Sequence, residues 1–410
     1  MTRTKAIHSV AALSGVAGLL VLSGCASISS ALKDGSDALI EVLPVPEQTT
    51  AVAPVHSPIV VRAIQGTLTD VEVTGPKGPL VGTMNPTQTE WTSNANTLNF
   101  GAQYVVSASA VDEGGTPVQR SVELLTVKPK KTVDGQFSYF MNNDTVGVGI
   151  PLRIEFSQAV KNKAAVEKRL AVTSSKPTVG AWSWNSDNTA VTFRPQTYWP
   201  AKAKVKIDAA LKGVEFAPGI YGERDMKAGF KTASSMVSTV DANTLVMTVR
   251  KDGKVIRKIP VTTGKAGFET RSGIKPIMGK EGTVIMDAAS GGTPRTSSEY
   301  YRLTVHQAMR LTPSGEFVHS APWSVGSQGR ASVSHGCVGM SSSNAAWFYE
   351  QSRVGDVVMV KNTGRPQDLG HGITEWNVKW DKWLARSKTG AITVESAAAA
   401  KSATPASAIG

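Results

Sequence analysis

The chain has 410 residues, enough for two to four domains, and a formal net charge of +12. That charge comes without a long Lys/Arg block or a nucleic-acid motif, which argues against DNA or RNA binding and fits an anionic membrane or cell-wall polymer better. Six His and two Cys, with no Cys-x-x-Cys or His-Glu-x-x-His spacing, give no support for a metal centre, and no motif calls for a cofactor.

At the N-terminus, Arg3 and Lys5 precede an apolar run from Val10 to Leu22. The run is short for a hydrocarbon core of about 30 Å and reads as a secretory signal over residues 1–24. It ends in Leu22-Ser23-Gly24-Cys25, which resembles a bacterial lipobox. Cleavage before Cys25 would leave that thiol to carry a diacylglyceryl anchor on the extracytoplasmic face of the cell membrane. A plain signal peptide cut near Ala26 is the alternative. Residues 25–57 are Ser, Ala, Pro and Thr rich and read as a flexible tether behind the lipidated Cys25.

From Ile59 the pattern is that of short strands, such as Tyr104 to Ala110, broken by turn clusters such as Glu113-Gly114-Gly115. A repeat is visible: Trp91 to Phe100 and Trp184 to Phe193 each join an aromatic, an Asn/Ser/Asp turn and a strand ending in Phe. The offset, 184 − 91 = 93, is close to the length of one immunoglobulin-like sandwich. Two tandem β-sandwiches are expected, over 58–131 and 132–235, acting as a stalk.

A new unit follows over 236–364. Thr244 to Arg250, the Asp252-Gly253 turn and Val255 to Val261 predict a β-hairpin. Further strands are expected over 282–286, 301–305 and 354–360. One helix is expected over 344–350, with Ser341 to Ser343 available as its cap. The unit is therefore mainly β with one clear helix. Trp376, Trp380 and Trp383 share a face on a helix, which predicts that residues 365–388 pack against a domain. Residues 389–410 are Ala, Ser and Thr rich and read as a disordered tail.

Cys337, in Ser334-His335-Gly336-Cys337, is the only thiol of the globular part and has no intrachain disulfide partner there. A free Cys is ordinarily a small buried hydrophobe. Here it lies in a polar, turn-like run of a chain with a secretory leader, and outside the cytoplasm an idle thiol is an oxidation liability. His319 stands 337 − 319 = 18 positions upstream. Thiol and imidazole together predict a thiolate nucleophile and its base.

A His, fourteen intervening residues (320–333) and then Ser-His-Gly-Cys resembles the signature of the L,D-transpeptidases of bacterial cell-wall assembly. Phe317 to Gly326 and Ser343 to Tyr349 are similar to the actinobacterial lipoprotein members, which carry two immunoglobulin-like domains before the catalytic one. The resemblance covers all but the ends of the mature chain. It implies a mainly β fold with a Trp-rich C-terminal subdomain, here 365–388, packed on the catalytic domain. It also implies transfer between peptidoglycan stem tetrapeptides, donor and acceptor, giving 3→3 cross-links through a Cys337 thioester.

In that reading His319 is the base, the backbone at His335, Gly336 and Cys337 stabilises the oxyanion, and Ser320 and the His335 ring orient His319 or the thiolate. Tyr301, Ser314, Gly315 and Trp323 would line the donor site, and Met286 a flap over it. A monomer is expected, with membrane contact through the anchor. Gly339 departs from the Asn or Arg usual two positions after the Cys. The readings left open are a non-catalytic wall-binding lipoprotein, or a thiol acyltransferase with a protein or water as acceptor.

Overall fold

A computed structural model describes residues 38–44, 52–94, 98–139 and 142–396. The whole signal region, Cys25 and most of the tether lie outside the described residues. Strands dominate, and the core divides into three units.

The first unit packs a sheet of Leu39–Leu43, Val60–Ile64, Glu90–Ser93 and Gly82–Met84 against one of Gly78–Pro79, Gly66–Gly75, Gln103–Asp112 and Pro117–Leu125. Alternating residues of the long strands, such as Tyr104, Val106 and Ala108, turn inward onto Trp91, Leu68 and Leu124. The expected tether is thus partly built into the fold. Leu39–Leu43 pairs antiparallel with Val60–Ile64 and buries Ile40 and Val42, because this short apolar run finds a sheet edge to complete.

The second unit is a larger sandwich with Trp182, Trp184, Phe193, Trp199, Phe216 and Phe230 in its core. The hairpins of the two units correspond at an offset of 100 residues, not 93. Asn85 and Asn185 each open a turn in which Gln88 or Asn188 takes positive φ, 53° and 59°. The Asn amide bonds the Thr89 or Thr189 hydroxyl at 3.0 Å in both. Trp91 therefore corresponds to Val191, and no strand forms at Leu98 to Phe100. Aromatic spacing misled because the turn chemistry, rather than the ring, fixes the hairpin register.

The C-terminal segment departs from expectation as well. Trp376 and Trp383 are buried against the second sandwich, donating their indole N–H groups to Gly149 O at 2.8 Å and Ala181 O at 2.9 Å. The Arg194 guanidinium lies over all three tryptophans, 4.7–5.2 Å from their ring centroids. The segment also reaches the catalytic unit, where Asn377 brackets Ile274 with bonds of 2.7 and 2.8 Å. Residues 391–394, expected in a disordered tail, form a strand paired antiparallel with Thr178–Trp184. Buried Glu167 holds the approach to this strand. It accepts from Lys388 N, Thr389 N, Thr389 Oγ1, Ser387 Oγ and the Trp184 indole at 2.6–3.0 Å.

The catalytic unit pairs a sheet of Lys254–Pro260, Val246–Lys251, Met236–Asp241, Val357–Lys361 and Gly273–Pro276 with one of Gly279–Asp287, Arg302–Arg310, Phe317–Ser320 and Val338–Met340. The Asp252-Gly253 turn has both φ values positive, at 49° and 81°, as a two-residue hairpin turn requires. The helix Ser342–Gln351 is capped by Ser341 Oγ, which accepts from Asn344 N at 3.3 Å, and it buries Ala345 and Phe348 on the core.

Glu167→Ala would strand four buried or half-buried donors of the C-terminal segment. Urea unfolding is expected to show a loss of about 2–4 kcal/mol. A change under 0.5 kcal/mol would mean that this carboxylate does not hold the terminal strand.

Candidate active site

Phe317–Ser320 and Val338–Met340 lie side by side in parallel, with His319 opposite Gly339. Cys337 enters the second of these strands, which sets it beside the His319 strand at the edge of the core. Seventeen residues, 321–337, make the crossover, and they are sewn down along one neighbouring segment. Gly329 N donates to Val261 O at 2.9 Å, Thr263 Oγ1 meets Ser332 Oγ at 2.8 Å, and Lys265 N donates to Ser334 O at 2.9 Å.

Cys337 is 7% exposed and His319 is 4% exposed. His319 Nδ1 lies 2.7 Å from the Ser320 carbonyl oxygen. A carbonyl only accepts, so Nδ1 carries the proton and Nε2 keeps its lone pair for a proton acceptor's role. It is the Ser320 main chain that meets the ring; the Ser320 hydroxyl pairs with Ser342 Oγ at 2.9 Å. Burial lowers the His319 pKa, the Ser320 bond opposing in part, so the ring is neutral at physiological pH.

The thiol donates to Gly315 O at 3.6 Å. Burial pushes its pKa up to about 12; Glu316 adds to the rise, while the Phe317 N–H and Lys275 oppose it. The resting pair is thus a neutral thiol and a neutral imidazole.

The main chain around the sulfur is shaped by two glycines, Gly336 at φ +120° and Gly315 at φ +100°. The Gly336 N–H is occupied by Ser334 Oγ at 3.2 Å, and that hydroxyl donates in turn to Cys337 O at 2.6 Å. The N–H groups of His335 and Cys337 donate to no partner among the described residues. They are the donors left for a developing oxyanion.

The His335 ring does not turn toward His319. Its Nε2 donates to Glu299 Oε2 at 2.7 Å, and Glu299 also takes Lys265 Nζ at 2.6 Å. The ring sits between Phe268 and Tyr301, at centroid distances of 4.6 and 4.8 Å. Sequence reasoning missed Glu299, Lys265 and Phe268, since nothing local marks them as partners of His335.

Two cavities of ≈ 400 Å³ each meet at Cys337, Met286, Tyr301 and His335. His319 and Trp323 line the first, and Ser314, Gly315 and Gly336 the second. Trp323 is 58% exposed and stacks at 6.0 Å on His319. Ser314 Oγ is paired with His371 Nε2 at 2.7 Å. Among the described residues no group of His, Cys, Asp or Glu is placed to hold a metal ion.

Gly339 has a neighbour that accounts for it. A Cβ there would stand 2.8 Å from Thr262 Oγ1 and 3.0 Å from Ala321 Cβ. Thr262 and Gly339 also exchange backbone bonds at 2.9 and 3.0 Å, and Thr262 lines the first cavity. The missing side chain is matched by a hydroxyl arriving from the facing segment. Gly339→Ala is accordingly expected to lose about 1–3 kcal/mol by urea unfolding. Adding Thr262→Ala should restore at least half of that. Full stability in Gly339→Ala alone would contradict the crowding.

Comparison with known proteins agrees with this architecture. Residues 50–215 match the bacterial Ig domain family, and residues 235–360 match the L,D-transpeptidase catalytic domain family. L,D-transpeptidase 2 of Mycobacterium tuberculosis is 34% identical over 335 residues, 81% of each chain. L,D-transpeptidase 5 of the same species is 32% identical over 81% of this chain and 73% of its own. The structure of an L,D-transpeptidase in complex with imipenem is 36% identical, with a TM-score of 0.47, covering 55% of this chain and 97% of that one. The Ig-domain match, the L,D-transpeptidase catalytic-domain match and similarity over 81% of the chain to such enzymes lead to one conclusion: this chain belongs to the L,D-transpeptidase family, a family of acyltransferases.

Proposed function

We propose that this chain is a peptidoglycan L,D-transpeptidase, forming 3→3 cross-links between stem peptides through a thioester on Cys337. One observation carries the reading: the Cys337 thiol stands where two cavities meet, with the neutral His319 imidazole lining one of them and two N–H groups beside the sulfur that have no partner among the described residues. A reaction between two peptides needs two approaches to one sulfur, and this arrangement supplies them.

The chemistry then runs as follows. His319 Nε2 takes the Sγ proton as sulfur bonds to the carbonyl carbon of the third donor residue, a meso-diaminopimelate. The N–H groups of His335 and Cys337 hold the oxyanion, each worth roughly 3–4 kcal/mol in comparable acyl transfers. Collapse breaks the C–N bond, and the imidazolium gives its proton to the departing D-Ala. The side-chain amine of the acceptor stem next attacks the thioester and loses a proton to His319. The C–S bond breaks and the thiol is restored. Gly336 and Gly315, lacking Cβ atoms, let substrate backbone approach the sulfur. Tyr301, Trp323 and Met286 give the apolar walls, and Ser314 a polar contact.

In this reading the enzyme works at the extracytoplasmic face of the cell membrane, held there by a lipid on Cys25. The sandwiches reach into the wall, and the excess of positive charge suits an anionic polymer.

Intact mass after incubation with a carbapenem is expected to show a single adduct in the native protein and none in Cys337→Ala. An unmodified native protein would overturn the reading of Cys337 as an activated nucleophile and favour a wall-binding role. With a tetrapeptide donor, His319→Ala should lower kcat/KM by about 10²–10⁴-fold.

The pH profile has a definite sign. The imidazole must be neutral to take the proton, and burial moves its protonation below the ordinary 6.5. kcat/KM should therefore hold steady at and above pH 6.5 and fall only on the acid side. An acid limb beginning above pH 6.5 would exclude His319 as the base.

A further inference from the structure

The steps above leave three charged side chains beneath the thiol unused. Lys275 lies in the strand Gly273–Pro276, between Ile274 and Pro276, and is 1% exposed. Its Nζ donates to Glu316 Oε2 at 2.8 Å and to Arg271 O at 2.7 Å. Glu316 Oε1 accepts from Arg271 N at 3.0 Å and from Arg271 Nη1 at 3.1 Å. Arg271 Nε turns outward to Asp368 Oδ2 at 2.9 Å. Apolar residues of similar volume commonly stabilise a core as well as a buried ion pair does, so stability alone does not account for these charges.

Their place offers an account. Glu316 falls between Gly315, whose carbonyl accepts the thiol's hydrogen bond, and Phe317, whose N–H faces the sulfur. Its Cγ and Oε1 stand 3.9 Å from where a Cβ on Gly336 would be. The carboxylate thus adjoins both segments that cradle Cys337.

We propose that Lys275, Glu316 and Arg271 form a buried charge cluster that sets the electrostatic balance under Cys337, Lys275 favouring negative charge on sulfur, the Glu316 carboxylate opposing it and Arg271 holding and partly offsetting that carboxylate. The proposal rests on Cys337 being the nucleophile. These are positioning residues: they exchange no proton, which passes only between Sγ and His319.

Other titratable groups face the thiol with less leverage. His319 is neutral, and burial with the nearby Cys337 holds the Tyr301 hydroxyl up at about 12. Glu299 is offset by Lys265 beside His335. Arg310 on the rim of the second cavity is paired with Glu281, and Arg365 on that rim donates to Glu269 O. Asp368 is exposed, where solvent screens it. Within the trio, Glu316 and Lys275 act on the sulfur with opposite signs, the carboxylate the more strongly.

The test is the rate of Cys337 alkylation by iodoacetamide from pH 6 to 10, in which sulfur displaces iodide in proportion to its thiolate fraction. At a given pH, Glu316→Gln is expected to react at least threefold faster than the native protein and Lys275→Met at least threefold slower. The Lys275→Met/Glu316→Gln double variant, which loses one charge of each sign, should return to within twofold of native. A structural role alone would move both single variants in the same direction, and that result, or no displacement at all, overturns the proposal.

Thermal unfolding verifies that each variant is folded. Arg271→Gln, at the solvent-facing end of the cluster, is expected to slow alkylation in the direction of Lys275→Met, and it decides the matter if the buried variants do not fold. Turnover of the peptide donor by Cys337→Ala would defeat the nucleophile reading itself. Unshifted alkylation with an inactive Cys337→Ala would defeat only the cluster.

Discussion

The parallel ladder between Phe317–Ser320 and Val338–Met340 determines where Cys337 stands relative to His319. Parallel neighbours need a crossover of a dozen residues or more. The 17 residues between these strands meet that need without a long helix, using a short 3-10 turn, Pro322–Ser324, and a series of bonds to residues 261–265. The same crossover carries Trp323 to the mouth of the first cavity and Ser334 to the base of the turn that carries Cys337. A one-residue slip in this pairing would send His319 to the opposite face of the sheet.

Burial is the second constraint, and it acts against reactivity. A thiol enclosed in this way resists ionisation. In the proposed mechanism, attack therefore depends on concerted loss of the proton to the His319 imidazole, which burial keeps uncharged. The cost of charge in such a place explains why the surroundings of Cys337 are rich in fixed dipoles and paired ions. The Phe317 N–H, the free N–H groups of His335 and Cys337, and the Lys275–Glu316–Arg271 cluster are all in position before any substrate arrives.

The C-terminal segment gives the molecule its continuity. After leaving the catalytic sheet at Lys361, the chain wraps its tryptophans around Arg194 and then adds Ala391–Val394 to the second sandwich. Gly147 and Gly149 of that sandwich lie so close to Gly355–Val357 that a Cβ on either would collide. Backbone bonds from Gly147 N to Val354 O and from Gly149 N to Gly355 O, at 2.7 and 2.8 Å, close the joint. The second sandwich and the catalytic domain thus share a seam of close backbone and indole contacts.

What the sequence determined by itself was whatever chemistry acts over a few neighbouring residues. The Asp252-Gly253 turn, the Ser341 cap and helix, the alternating strands of both sandwiches and the Ser-His-Gly-Cys run with His319 upstream all carry local signals, and all were legible. The tertiary structure alone decided partners far apart in the chain. Glu299 with His335, Lys275 with Glu316, Thr262 against Gly339, and Glu167 with residues 387–389 join segments separated by 36 to 222 positions. No periodicity announces such meetings. The terminal strand and Leu39–Leu43 show the same limit from the other side. Both are short and weakly patterned, and each is a strand only because a neighbouring sheet has an unpaired edge of backbone N–H and C=O groups to receive it.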